Sequence, residues 1–170
     1  MTAANVSNPP ATRLQTFAAM SAVLTGFQGS VISPTLDPVN LKTLYLQTAD
    51  AQATPALVDQ LLQQFTTLQS QGLPKQQIAD TLLGTTANPP SDTALLARAI
   101  AKMWYLGMWY PNGSTVGTVI SSQAYIGGLT WQAAQAHPMG YSTFTFGYWK
   151  DVPPPLSAFG VDLPDGGSND

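Results

Sequence analysis

Cysteine and glutamate are absent from this sequence, histidine occurs once, and Lys and Arg together number 6 in 170 residues. Without cysteine there can be no disulfide, no thiolate metal site, no iron–sulfur ligation and no covalent c-type haem attachment. A zinc or iron site needs several converging ligands, and His137 has only scattered aspartates to join it. Standing alone before Pro138, it reads as a loop histidine. Six basic residues placed singly, under a net charge of -3, cannot neutralise a run of phosphates, which argues against nucleic acid as a partner. No apolar run reaches the roughly 20 residues of a membrane span, and no basic-then-apolar leader opens the chain.

Charge of either sign is scarce. Only 9% of residues are charged, against about 25% in an ordinary soluble domain; Gln, Ser, Thr and Asn supply the polarity instead. Such a surface is easily covered by another protein, and it equally suits a secreted protein with a neutral exterior. Composition leaves both readings open.

Catalytic signatures are missing as well. A serine nucleophile would have only His137 as its base, and the Gly-x-Ser-x-Gly elbow does not occur. Neither a Gly-x-Gly-x-x-Gly fingerprint nor a Walker loop is present. Asp37, Asp50, Asp59, Asp80 and Asp92 fall at expected helix ends or polar faces, and Asp151, Asp162 and Asp165 fall in the tail. No pair is spaced as a catalytic couple.

What the chain has is one domain's length, 44% hydrophobic residues and a concentration of aromatics. All 4 tryptophans, five tyrosines and two phenylalanines lie in residues 103–149. Around them the sequence reads as short helices. Leu14, Phe17, Ala18, Ser21 and Leu24 share one face of a helix closed by Gly26. Asp37-Pro38 predicts the cap and first turn of a second helix running to about Ala49. Thr54-Pro55 starts a third, whose stripe of Val58, Leu61, Leu62, Phe65 and Leu68 stops at Gly72. A fourth runs over 74–83, and a fifth is capped by Ser91 or Asp92 and continues into Trp104. The last is expected from Ser121 or Ser122 through Trp131 towards Ala136, weakened at Gly127-Gly128. The fold class is therefore all-α: an irregular bundle of about five or six short helices with a long aromatic, proline-containing C-terminal arm. Residues 1–12 read as a flexible arm, 13–150 as one helical domain including the aromatic arm 137–150, and 151–170 as an extended tail.

The aromatic block divides in two. Met103, Trp104 and Leu106, on a helix, are expected in the core with Phe17, Leu61 and Phe65. Trp109, Tyr110, Trp131, Tyr141, Phe144, Phe146, Tyr148 and Trp149 are expected at a partner interface, where exposed aromatics act as anchors and loops seldom bury them internally.

The run Met103-Trp104-Tyr105-Leu106-Gly107 resembles the Trp-Tyr-Leu-Gly motif in small subunits of membrane-associated, FAD-dependent sugar and polyol dehydrogenases. That family includes those of sorbitol, fructose and glucose dehydrogenases. Phe17 with Leu24-Thr25-Gly26 is similar to the family's N-terminal helix. Val119 with Ala124-Tyr125, then Pro138 to Tyr141 and Gly147-Tyr148-Trp149, follow its downstream order. The likeness spans residues from about 14 to 155.

The resemblance implies a subunit with no cofactor and no catalytic residue of its own, and the residues themselves offer no metal site. Its large partner would be a flavoprotein of the glucose–methanol–choline type that binds FAD and oxidises a sugar or other alcohol. A further subunit with haem c accepts electrons in several such complexes. The small subunit's twin-arginine signal would carry the folded partner to the periplasm. No Arg-Arg pair occurs here, and Met1-Thr2-Ala3-Ala4-Asn5 is the start expected of a trimmed mature chain given a start codon. Some relatives carry cysteine after the tyrosine of the C-terminal segment; Ser142 takes that place, so no covalent bridge forms through it. Two other readings stand beside this one: a carbohydrate-binding module stacking sugars on exposed Trp and Tyr, and a small cofactor-free enzyme using aspartates.

Overall fold

The computed structural model describes residues 10–111, 114–138, 152 and 155–160. The chain is all-α. Its body is α1 (Pro10–Thr25), α3 (Leu41–Gln52), α4 (Pro55–Ser70), α5 (Lys75–Leu83) and α6 (Asp92–Leu106), with a one-turn α2 (Gly29–Ile32) after α1. A two-residue antiparallel ladder follows, β1 (Met108–Trp109) against β2 (Thr118–Val119), with Met108 opposite Val119. Then come α7 (Ser122–Ile126), α8 (Leu129–Ala133) and a 3-10 turn (Leu156–Phe159).

The helix starts are chemical. Thr54 Oγ1 accepts the Leu57 N–H at 3.2 Å, with Pro55 in the first turn, and Ser91 Oγ accepts the Ala94 N–H at 3.2 Å. Each removes one orphan donor of a helix N-terminus. Asp37-Pro38 does not start α3 as expected. The Asp37 carboxylate accepts the Asn40 N–H at 2.6 Å and closes a turn, and Asn40, at φ 53, delays the helix to Leu41. Asparagine is among the few residues that tolerate that left-handed conformation.

α6 is the central strut, touching α1, α3, α4, α5, α8 and β1. Its inner face carries Leu96, Ile100, Met103 and Trp104, which meet Phe17 and Met20 of α1 and Val58, Leu61 and Phe65 of α4 in one core. Five of the six expected core residues lie there, Trp104 only 2% exposed. Leu106 does not: it is 36% exposed. It follows Lys102 by four residues and so lies on that residue's outward face of the helix.

Arg13 fastens three helices. Its Nη atoms donate to both Asp50 carboxylate oxygens at 2.7 and 2.8 Å, and its Nε donates to Asp59 at 2.6 Å, joining α1 to α3 and α4. These contacts hold the guanidinium pKa above its ordinary value, with the Asp50 hydrogen bonds the largest cause. Arg98 donates to the Leu83 and Gly84 carbonyls at 2.8 and 2.9 Å, satisfying the C-terminal end of α5.

Three further expectations are revised. The single helix through Trp131 is broken into α7 and α8 at Gly127-Gly128. A Cβ on Gly128 would stand 2.8 Å from the Tyr105 carbonyl oxygen, so the glycines serve close approach to the end of α6. The tail is not extended throughout: the 3-10 turn packs against α8, and Gln28 donates its N–H to the Gly160 carbonyl at 2.7 Å. Residues 10–12, assigned to the N-terminal arm, already belong to α1, and residues 1–9 lie outside the described residues.

Candidate functional site

Three stretches far apart in sequence meet at the C-terminal end of α6. The first is the end of α1. There Ser21 Oγ donates to Phe17 O at 2.8 Å and Thr25 Oγ1 donates to Ser21 O at 2.8 Å. These side chains satisfy themselves on their own helix, leaving the Thr25 carbonyl open. The second stretch fills it: Tyr105 Oη donates to Thr25 O at 2.7 Å, and the Tyr105 ring stands edge-on to Phe27, centroids 6.0 Å apart.

The third stretch is α7. Gly107 ends α6 at φ 65, and its carbonyl accepts the Ile120 N–H at 3.2 Å. A Cβ on Gly107 would stand 2.6 Å from Tyr125 N and closer still to the Ala124 carbonyl, so only glycine fits between the two backbones. Ser121 Oγ caps α7 by accepting the Ala124 N–H at 3.0 Å. Beneath, Tyr45 packs edge-on against Trp104 at 4.7 Å and 89°, with its hydroxyl 3.4 Å from Ala124 O. Burial raises the pKa of both Tyr45 and Tyr105. Each of these hydroxyls is aimed at a backbone carbonyl, so both help hold the junction together. The Trp104 Nε1 donor is buried there without a hydrogen-bond partner among the described residues.

The expected interface residues separate. Trp109 is 7% exposed and belongs to the core, because β1 turns the chain back under α6; its interface role is corrected to packing. Tyr110 is half-buried, with Gly117 against its ring and Lys102 Nζ 5.4 Å from its centroid. Trp131 is half-buried too, its Nε1 donating to Tyr125 O at 2.8 Å and its ring edge-on to Tyr125. Tyr141, Phe144, Phe146, Tyr148 and Trp149 lie outside the described residues. On either side of that segment in sequence, Pro138 is buried just after α8 and the 3-10 turn packs on α8.

Sequence reasoning missed an apolar rim beside the junction. Val119 is 52% exposed, and Leu106 and Ile126 are exposed as well. Their signal was faint: single apolar residues at helix ends and in a two-residue strand. Four of the basic side chains have partners within the chain. Arg13 is held by Asp50 and Asp59, Lys42 by Asp37 at 3.4 Å, Arg98 by carbonyls, and Lys102 lies over Tyr110. Among the described residues no group of three or more His, Asp or other ligating side chains could hold a metal ion, and His137 Nδ1 lies 3.0 Å from its neighbour's carbonyl, Pro138 O. No helix of the described residues is long and apolar enough to cross a membrane.

Comparison of the chain with protein-family models, curated proteins and solved structures gives no match.

Proposed function

We propose that this chain is a non-catalytic small subunit that binds, stabilises and escorts an FAD-dependent sugar or alcohol dehydrogenase. The observation that carries the reading is the junction. Leu24-Thr25-Gly26, Trp104-Tyr105-Leu106-Gly107 and Ala124-Tyr125 bear the resemblance to such subunits, and these segments pack on one another through Tyr105, Thr25 and Gly107. Motifs that matter through mutual packing are what a subunit presenting a surface requires. Chemistry would then belong to the partner, a large flavoprotein of the glucose–methanol–choline type holding FAD; in several complexes of that type a cytochrome c subunit accepts the electrons.

The surface supports the same reading. Covering a charge costs solvation free energy, whereas neutral polar and apolar groups are covered cheaply. Here Arg13, Lys42, Arg98 and Lys102 already have partners within the chain. The proposed interface comprises Tyr110, Trp131, the rim of Leu106, Val119 and Ile126, and the aromatics Tyr141, Phe144, Phe146, Tyr148 and Trp149. Tryptophan and tyrosine are favoured anchors of such surfaces. Assembly precedes twin-arginine export in this reading, which places the working complex in the periplasm.

Co-expression with a flavoprotein of the glucose–methanol–choline type from the same organism tests the proposal. A soluble complex that co-purifies, and a large chain that aggregates without its companion, are expected. Two separate proteins, each stable and active alone, would refute it.

A further inference from the structure

A cleft of about 440 Å³ opens at the other end of α6. The 15 residues of α6 span about 22 Å at 1.5 Å per residue, so the cleft is a site apart from the junction and its rim. Its volume falls within the range of small-molecule sites, roughly 300–1,000 Å³.

Its lining combines polar and apolar side chains, and none of the residues that line it is charged. α4 contributes three exposed side-chain amides, Gln60, Gln63 and Gln64. Each can donate through nitrogen and accept through oxygen. Two hydroxyls are already oriented: Thr67 Oγ1 donates to Gln63 O at 2.9 Å, and Thr81 Oγ1 donates to Gln77 O at 2.8 Å. With their protons committed, both oxygens offer lone pairs to the cleft. Leu68 and Leu82 add apolar surface. Among the described lining residues an anion would find no cation and a cation no carboxylate, so a charged ligand would lose hydration without a counter-charge from them. A neutral molecule carrying several hydroxyls fits the set: its O–H groups donate to Thr67 and Thr81, its oxygens accept from the glutamine amides, and its C–H face lies on the leucines.

We propose that this cleft binds an uncharged polyhydroxylated ligand of mono- to disaccharide size. The proposal does not depend on the subunit role, because none of its residues belongs to the rim or the aromatic segment.

The test is titration of the isotope-labelled full chain with maltose, following the side-chain amide signals of Gln60, Gln63 and Gln64 by NMR. Glucuronate and glucosamine serve as charged comparators. Saturable shifts of those amides are expected with maltose and at least about tenfold weaker binding for either charged sugar. Gln63→Ala and Thr81→Val replace solvent-facing groups, and each is expected to weaken maltose about tenfold, the weight of one good hydrogen bond. Absence of saturable shifts, equal binding of the charged sugars, or shifts unmoved by both substitutions would overturn the proposal. A peptide that saturates the same amides while maltose does not would overturn it too, replacing the polyol by a protein segment.

Discussion

Replacing Gly107 by alanine tests the junction where it is tightest. The backbone there is left-handed, at φ 65, which costs an L-residue about 1–2 kcal/mol. Gly→Ala also restricts the unfolded chain, returning about 0.4–1 kcal/mol. If conformation were the whole effect, the loss would be near 1 kcal/mol. The added Cβ, however, would stand 2.6 Å from Tyr125 N and closer to the Ala124 carbonyl, and backbone cannot turn aside as a side chain does. Forcing α7 away from α6 adds an overpacking cost of about 1–3 kcal/mol. It also strains the Ile120 N–H bond to Gly107 O and the approach of Tyr45 to Ala124 O. Gly107→Ala should therefore lose about 2–4 kcal/mol. Gly72 supplies the control, with φ 68 and no atom within 4 Å of an added Cβ, so Gly72→Ala should lose about 1 kcal/mol or less. Urea unfolding followed by circular dichroism measures both. Equal midpoints for the two variants would refute the close-packed junction, whatever their absolute size.

Other outcomes follow from the same contacts. Tyr45 and Tyr105 have pKa values raised by burial. Their contribution is therefore whole below the unfolded tyrosine value of about 10 and fades as pH rises through the folded values; Tyr105→Phe should blunt the alkaline loss of stability while costing about 1 kcal/mol at neutral pH for the bond to Thr25 O. Arg13→Gln severs α1 from Asp50 and Asp59 and should cost about 1–2 kcal/mol in low salt, with the gap to wild type narrowing in high salt because the pairs are only partly buried. Trp104→Ala should cost about 3–5 kcal/mol of stability as a buried aromatic, whereas Trp149→Ala and Phe146→Ala should weaken partner binding by about 2 kcal/mol or more and leave the melting of the isolated chain nearly unchanged. Equal effects of all three on melting would refute the division between core and interface.

The helices were legible where local chemistry ends them. Thr54-Pro55, Ser91 and Gly72 act through caps and left-handed turns that need no distant partner, and the structure uses each one. The apolar stripe of α4 was legible for the same reason: its spacing alone puts Val58, Leu61 and Phe65 on one face. What escaped depends on remote contacts. The break at Gly127-Gly128 reflects the approach of the Tyr105 carbonyl. Trp109 becomes core only because β1 folds back beneath α6, and a two-residue strand carries no alternation to announce it. Leu106 looked like core through its neighbours Met103 and Trp104, while its register with Lys102 turns it outward. The candidate site was legible as an aromatic cluster with Met103 and Trp104 on its core side, but the burial of Trp109 was not. Whether a tryptophan anchors a core or an interface depends on what the fold lays over it.

The most direct measurement is the composition of the particle this chain forms in its native host. Affinity-tagged at a terminus and isolated under gentle conditions, it should emerge with a large companion chain. The purified particle should show flavin absorbance with one FAD per companion, and alcohol or sugar oxidation should stay with the complex. A chain that elutes alone, free of flavin, while the oxidising activity remains with other fractions would contradict the account.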